Sequence, residues 1–274
     1  SDTVRGIGKG LYPDLTNTQG DTNYVSAIGS DGYTIVATDS IEINRDDDTF
    51  VSWNWKEQAG VFDIVSYTGN ATSGATISHN LGVVPTMMIV KCSSVDGTNW
   101  IVYTAATGNT HWQYLNATNA ASANSAAWNN TSPTASVFSL GNDGDVNGDG
   151  RTYIAYLFGN KQGMSKTGSY EGNGNANGTF VYTGFSVGWV MIKNIDTGST
   201  AWVIQDSKRS SSSGGNPADK RLRANANNAE ETDSPVDLLS NGFKIRSTGS
   251  FTSDANTFIY MAFAENPFVT STGV

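Results

Sequence analysis

Thr152-Tyr153-Ile154-Ala155-Tyr156-Leu157-Phe158 recurs as Thr257-Phe258-Ile259-Tyr260-Met261-Ala262-Phe263, and an earlier copy stands at Thr49-Phe50-Val51-Ser52-Trp53-Asn54-Trp55. Residues two apart share one face of a strand. That face is Ile154, Tyr156, Phe158 in one copy, Ile259, Met261, Phe263 in another, and Val51, Trp53, Trp55 in the earliest. All nine are bulky and apolar, so the pattern predicts one core-facing strand used three times. The opposite face is mixed, with Phe50, Ser52 and Asn54 in the earliest copy and Tyr153, Ala155 and Leu157 in the middle one.

Other segments return with the same period. Ser66–Asn70 matches Ser169–Asn173, and Pro85-Thr86-Met87-Met88-Ile89-Val90-Lys91 matches Gly188-Trp189-Val190-Met191-Ile192-Lys193. The period is about 103 residues, and repeats of a fixed period must be recognised before the fold is assigned. They divide the chain into a partial unit at residues 1–57, a first full unit at 58–160 and a second at 161–274. A full unit is long enough to bury its own core. The first segment aligns with the second half of a unit. Asp2-Thr3-Val4-Arg5 resembles Asp206-Ser207-Lys208-Arg209, and Asp31–Ile35 resembles Asn241–Ile245. A half sandwich cannot cover its own apolar face. Residues 1–57 therefore need a neighbouring unit, further chain upstream, or another subunit. Cutting the units near residues 99 and 199 is the alternative phase, with the fragment at the C-terminus.

Short strand candidates fill both units, separated by turns such as Gly69-Asn70, Asp96-Gly97 and Ser240-Asn241-Gly242. They include Phe62–Tyr67, Thr76–His79, Thr86–Cys92, Asn99–Thr104, Gln113–Asn116 and Ser136–Leu140, with counterparts in the second unit. Residues 116–129 and 224–231 are rich in Ala and Asn and read as loops, with a helical turn as the alternative. Many short strands at regular spacing predict an all-β fold of tandem β-sandwich, jelly-roll-like repeats of about 100 residues.

Charged residues make up only 15% of the 274, and the net charge is −9. An acidic, lysine-poor chain fits neither nucleic acid nor an anionic membrane surface. No apolar run is long enough to span a membrane as a helix. Ser1 in place of Met suggests a processed chain or an internal start. The single cysteine, Cys92, excludes an internal disulfide and any cysteine-based zinc site.

The chemistry-bearing motifs are few. Asp143, Asp145, Asn147 and Asp149 have the alternating oxygen donors of a calcium loop, and Gly150 takes the place of its glycine. The bidentate Glu of such a loop is replaced by Tyr156, and the equivalent turns of the other copies lack the spacing, so a solvated acidic turn is the competing reading. No other cofactor is implied. His79 and His111 have no sequence partner for catalysis, and the expectation is a non-enzymatic protein. Trp100 and Trp202 are repeat partners, which favours a core role. Trp112 and Trp128 have no aromatic partner in the second unit and stand beside His111, Asn129 and Asn130. An aromatic ring beside amide side chains suits stacking on a sugar, so these five are the candidate carbohydrate or receptor residues. Rim packing is the alternative. Arg209, Lys220, Arg221 and Arg223 form the one basic cluster, next to the Ser210–Gly215 tip.

The strings Phe62–Asn70, Ile77-Ser78-His79-Asn80-Leu81-Gly82 and Pro85–Lys91, with Trp128–Thr134, Ser136–Leu140 and Tyr260–Phe268, resemble an uncharacterised repeat domain of bacteriophage virion and tail-fibre-like proteins, often marine. The resemblance covers nearly the whole chain. It implies a structural or adhesive virion component, exposed on the particle surface. Its implied partners are other virion proteins, further copies of itself, and a host-surface glycan or protein. A tail fibre or spike is the first expectation. A capsid decoration or fibre shaft without a receptor is the second, and a glycan-degrading spike the third.

Overall fold

The computed structural model describes residues 1–22, 24–36, 43–211, 216–249 and 256–267. The N-terminal segment holds four short strands: β1 (Lys9–Gly10), β2 (Gly20–Asp21), β3 (Val25–Ile28) and β4 (Tyr33–Ile35). The next stretch holds β5 (Phe62–Thr68), β6 (Ala75–Ser78), β7 (Met87–Cys92), β8 (Trp100–Thr104), β9 (His111–Tyr114), β10 (Ser122–Ala123), α1 (Ser125–Trp128), β11 (Val137–Leu140), α2 (Gly144–Asn147) and β12 (Thr152–Phe158). The last holds β13 (Ser165–Glu171), β14 (Phe180–Tyr182), β15 (Val187–Asn194), β16 (Val203–Asp206), β17 (Ala218–Arg223), β18 (Glu231–Leu239), β19 (Gly242–Ile245) and β20 (Thr257–Ala264). The fold is all-β, and its two helices are single turns.

Strands β5 to β12 form an antiparallel sheet in the order β10-β9-β8-β7-β12-β5, with β11-β6 as a separate pair. Strands β13 to β20 form one curled sheet, β13-β20-β15-β16-β17-β18-β19-β14. The neighbour relations agree. The copies of the opening motif, β12 and β20, each lie between two strands, β5 and β7 in one case and β13 and β15 in the other. The N-terminal ribbon follows the same plan. Lys9 pairs with Asp21 and Gly10 with Gly20, as His111 pairs with Ala123 and Trp112 with Ser122.

Both faces of each main sheet are buried at its central strands, β7 and β12 in one and β15 and β20 in the other. Tyr153, Ala155 and Leu157 face inward with Met88, Val90, Ile101 and Tyr103, under a lid of Phe138, Leu140 and Trp128. The mixed face of the sequence pattern is thus a sandwich interior. The bulky face points the other way. Phe62, Met87, Ile89, Trp100 and Phe158 meet Trp189, Met191, Trp202, Ile259 and Met261 in a second core, joined by Leu11 and Trp53 of the N-terminal segment. Strands buried on both faces read as unbroken apolar runs rather than alternation. Met87-Met88-Ile89-Val90 is such a run, and every residue of β7 is buried.

One expected strand is absent. Residues 49–55 are coil, with Phe50 and Trp55 exposed. A central strand needs neighbours on both edges to satisfy its backbone groups. Among the described residues, no counterparts of β5 and β7 lie beside this copy. Further elements differ from expectation. Residues 116–129, read as a loop, hold β10 and the single turn α1; the acidic turn winds into α2; and β18 opens at Glu231, the last residue of the expected 224–231 loop.

Candidate functional site

The five aromatic and amide candidates converge at one corner, but its rings face inward. Asn124 caps α1, accepting the Ala126 amide at 2.7 Å, and Asn129 ends the turn in the left-handed region at φ 53°. Asn tolerates that region better than most residues. Asn130 follows at φ 48°. The turn drives Trp128 into the sandwich, where it is 1% exposed and its Nε1 donates to His111 O at 3.2 Å. Tyr103 meets its ring edge-on at 5.7 Å. Trp112 is buried as well, tilted against Tyr114 at 5.2 Å. Both tryptophans belong to the inner core, deeper than rim packing, so neither offers a free ring face. His111 is half-buried and Asn130 exposed; His111 Nδ1 lies 2.9 Å from Thr110 Oγ1.

The expected calcium loop is a scaffold for the same corner. Asp143 caps α2, accepting the Asp145 amide at 2.9 Å. The Asp145 carboxylate accepts from the Asn99 backbone at 3.2 Å and its side chain at 2.9 Å. Asn147 is buried and ties three loops together. Its Nδ2 donates to Gly141 O at 2.6 Å and Thr72 O at 3.1 Å, and its Oδ1 accepts from Asn70 N. Asp149 is exposed and stands apart. Tyr153 Oη donates to Gly144 O at 2.7 Å and accepts from Gly148 N. Burial pushes the Tyr153 hydroxyl up to about 12, so it remains a donor. Gly141 permits this closeness, because a Cβ there would stand 2.0 Å from Ala126 O. Asp143, Asp145 and Asn147 accept from protein donors, and among the described residues no three acidic, His or Cys side chains cluster as metal ligands.

The remaining candidates are also engaged internally. His79 is buried; its Nδ1 accepts from Leu81 N, and its Nε2 faces Thr134 O at 3.2 Å, which assigns the proton to Nε2. Burial lowers its pKa, so the neutral ring is favoured. The basic cluster is matched on its own chain. Arg209 pairs with Asp206 and Glu230, Arg221 with Glu231 and Asp233, Arg223 with Glu231, and Lys220 lies 3.9 Å from Glu230. Most of the Ser210–Gly215 tip lies outside the described residues. Cys92 is a buried free thiol.

Two buried lysines not singled out from the sequence, together with the repeat partners Trp100 and Trp202, join the units. Lys193 is fully buried; its Nζ donates to Thr118 O at 3.2 Å, Thr200 O at 2.7 Å and Thr200 Oγ1 at 2.8 Å. Lys91 does the same to Thr16 O, Thr98 O and Thr98 Oγ1. Burial lowers both amines, Lys193 to about 8. Trp202 Nε1 donates to Tyr114 O at 2.8 Å and Trp100 Nε1 to Tyr12 O at 2.9 Å. The signal was present: a lysine ends an apolar strand in both copies, with Thr-x-Trp seven residues later.

A second contact is also duplicated. Arg5 Nε donates to Asp2 Oδ2 at 2.6 Å, and Tyr156 Oη donates to the same oxygen at 2.9 Å. Arg209 Nε donates to Asp206 Oδ2 at 2.7 Å, and Trp53 Nε1 donates to that oxygen at 3.2 Å. Trp53 is the repeat partner of Tyr156. The Arg209 guanidinium lies 5.4 Å from the Trp53 ring centre. The N-terminal segment thus touches both units, and the two units touch each other.

A family described as a domain of unknown function, DUF7483, matches residues 1–267. The chain belongs to that family. The match runs through the N-terminal segment and both full units. Comparison with curated proteins and with solved structures returned no match.

Proposed function

We propose that the chain is a non-enzymatic structural component of a bacteriophage virion, displayed on the particle in a tail fibre or spike that engages the host surface. One observation carries the structural part. A single apolar core is shared by the N-terminal segment and both units, and duplicated Lys and Trp hydrogen bonds fasten the junctions. Such joints favour a stiff block over independently moving domains. Repetition suits avidity, in which many copies of a weak contact add up once they are held in one particle. The sequence resemblance supplies the phage context.

Capsid decoration or a fibre shaft without a receptor is the second reading. The burial of Trp112 and Trp128 favours it, because the residues expected to stack on a sugar are core. Immunogold labelling of purified particles decides location, and binding of the purified chain to host cells and a glycan array decides adhesion. Absence of the protein from purified virions refutes both readings. Labelling of the particle without cell or glycan binding leaves the second.

A further inference from the structure

Two junctions in the molecule are built alike, and a third is built on one side only. At the first, Trp100 and Lys91 donate to Tyr12 O and Thr16 O, and Gln19 N donates to Ser93 O at 3.1 Å. At the second, Trp202 and Lys193 donate to Tyr114 O and Thr118 O, and Ala121 N donates to Ile195 O at 2.8 Å. Both Trp bonds span 88 residues, and both Lys bonds span 75. In each case a Lys–Trp hairpin of one unit locks onto the turn after a strand of the preceding one.

The second unit carries its own copy of that acceptor turn. Trp100 N donates to Asn116 Oδ1, and Trp202 N donates to Asn225 Oδ1. Leu115 N donates to Trp100 O, as Ala224 N does to Trp202 O. Asn225 therefore takes the place of Asn116, so Arg223 and Asn227 take the places of Tyr114 and Thr118. Among the described residues no Lys–Trp hairpin faces them. They line an open corner of about 330 Å³ whose other wall is Tyr12, Pro13, Asp14 and Leu15. Arg223 Nε is buried there without a hydrogen-bond partner.

The N-terminal segment shows the same deficit. Its ribbon β1-β2 lacks the third strand that β8 supplies to β9. Its copy of the central strand is coil. Val4, Leu15, Ile28, Phe50 and Trp55 are five of the nine exposed large apolar residues described in the whole chain. These are the contacts that a counterpart of residues 58–104 would cover.

We propose that the corner between Tyr12–Leu15 and Arg223–Asn227 docks a third Lys–Trp hairpin of the same repeat, carried by chain N-terminal to Ser1. Its lysine takes Asn227 O and its tryptophan takes Arg223 O. The half unit is thereby completed, and three units close into a ring of threefold pseudosymmetry. A second copy of the chain is the weaker occupant, because its own hairpins are already engaged at the two closed junctions. The proposal goes beyond the virion reading and does not depend on it.

The test appends a duplicate of residues 58–104 ahead of Ser1, using this chain's own hairpin as the probe. The extended chain should stay monomeric by light scattering, melt at least about 4 °C higher, and shift tryptophan emission to the blue as Trp55 is covered. The same extension carrying Lys91→Met and Trp100→Phe in the appended copy should lose most of the gain. Loss of the gain in that variant separates docking from a general effect of added chain. No rise in Tm, with free amide exchange throughout the appended residues, overturns the proposal. So does a rise that accompanies dimerisation, or a parent chain already dimeric with this corner protected from exchange, since either assigns the corner to a second copy.

Discussion

Lys193 gives the sharpest test of how the units are joined. Its amine is fully buried, with three oxygen acceptors and no carboxylate among them. Burial lowers its pKa from 10.5 to about 8. Below pH 8 the native state holds a desolvated ammonium, while the unfolded chain exposes that ammonium to water. Between pH 8 and 10.5 the unfolded chain binds more protons than the native one, so stability rises with pH. The complete swing is roughly 3 kcal/mol at about 1.4 kcal/mol per unit, of which about 1 kcal/mol falls between pH 7 and 9. Lys193→Met keeps the apolar stem and removes the titrating group. Unfolding free energies from urea titrations at pH 7, 8 and 9 should climb for the parent relative to the variant by about 1 kcal/mol in total. Lys91 and the amino terminus titrate in both proteins, so the difference isolates Lys193. Parallel profiles would refute the claim that this amine is held desolvated at the junction. A steeper rise in the variant would reverse its sign.

Four other outcomes follow from the same geometry. Trp202→Phe removes the donor to Tyr114 O and part of a buried ring, and should cost about 2–4 kcal/mol in chemical unfolding. Asn147→Ala strips the Asn70, Thr72 and Gly141 groups of a partner and should cost about 2–4 kcal/mol; a loss under 0.5 kcal/mol would show that water replaces the amide. Trp53→Ala should loosen the hold of the N-terminal segment on the second unit, seen as faster amide exchange in residues 49–57 with little change in 165–264. Because the pKa of His79 is lowered, its contribution is complete above pH 6.5 and falls away as the pH drops through the depressed value. His79→Gln should therefore flatten the acid limb of the stability profile below pH 6.5.

Most strands could be read from the sequence because each unit supplied a check on the other. The face of the opening motif was apolar in three copies, and all of those residues in β12 and β20 are indeed inside or half-buried. What could not be read was which interior they faced. Ile154 and Leu157 differ in side of the sheet, yet both are fully buried, so alternation alone does not tell a sandwich interior from a junction. The same ambiguity hid the lysines. Lys91 and Lys193 look like the polar ends of apolar strands until the turn carbonyls of a neighbouring unit are placed around them. Trp112 and Trp128 seemed exposed because polar residues flank them. Helical turn α1 reverses that inference, since one turn capped by Asn124 and Asn129 aims a tryptophan inward while leaving the asparagines at the rim. Spacing also could not show that the carboxylates of Asp143 and Asp145 each accept from one backbone amide and one asparagine side chain.

Burial of both sheet faces also bears on how far the sequence repeat can be equated with an independent domain. A unit cut out at its repeat boundaries would expose Phe62, Met87, Ile89, Trp100 and Phe158 on one contiguous face. Exposed apolar patches of that size mark association surfaces. Lys91 would lose its neighbour's carbonyl, and Tyr156 would lose the Asp2–Arg5 pair, which is itself almost completely buried. The period of about 103 residues therefore counts copies of a sequence pattern, while the apolar core is shared among those copies. Chain connectivity holds that set together at an effective concentration that separate copies would not reach. Repetition within one chain does here what identical subunits do in a cyclic oligomer, with one difference: each copy is free to change its joint. At the sequence positions that Asp2–Arg5 and Asp206–Arg209 hold in their copies, the first unit has Thr104 and Thr107, a neutral hydroxyl pair 3.0 Å apart. An ion pair in two copies and hydroxyls in the third make the copies unequal, so the order of units around the core is written into the chain rather than left to symmetry.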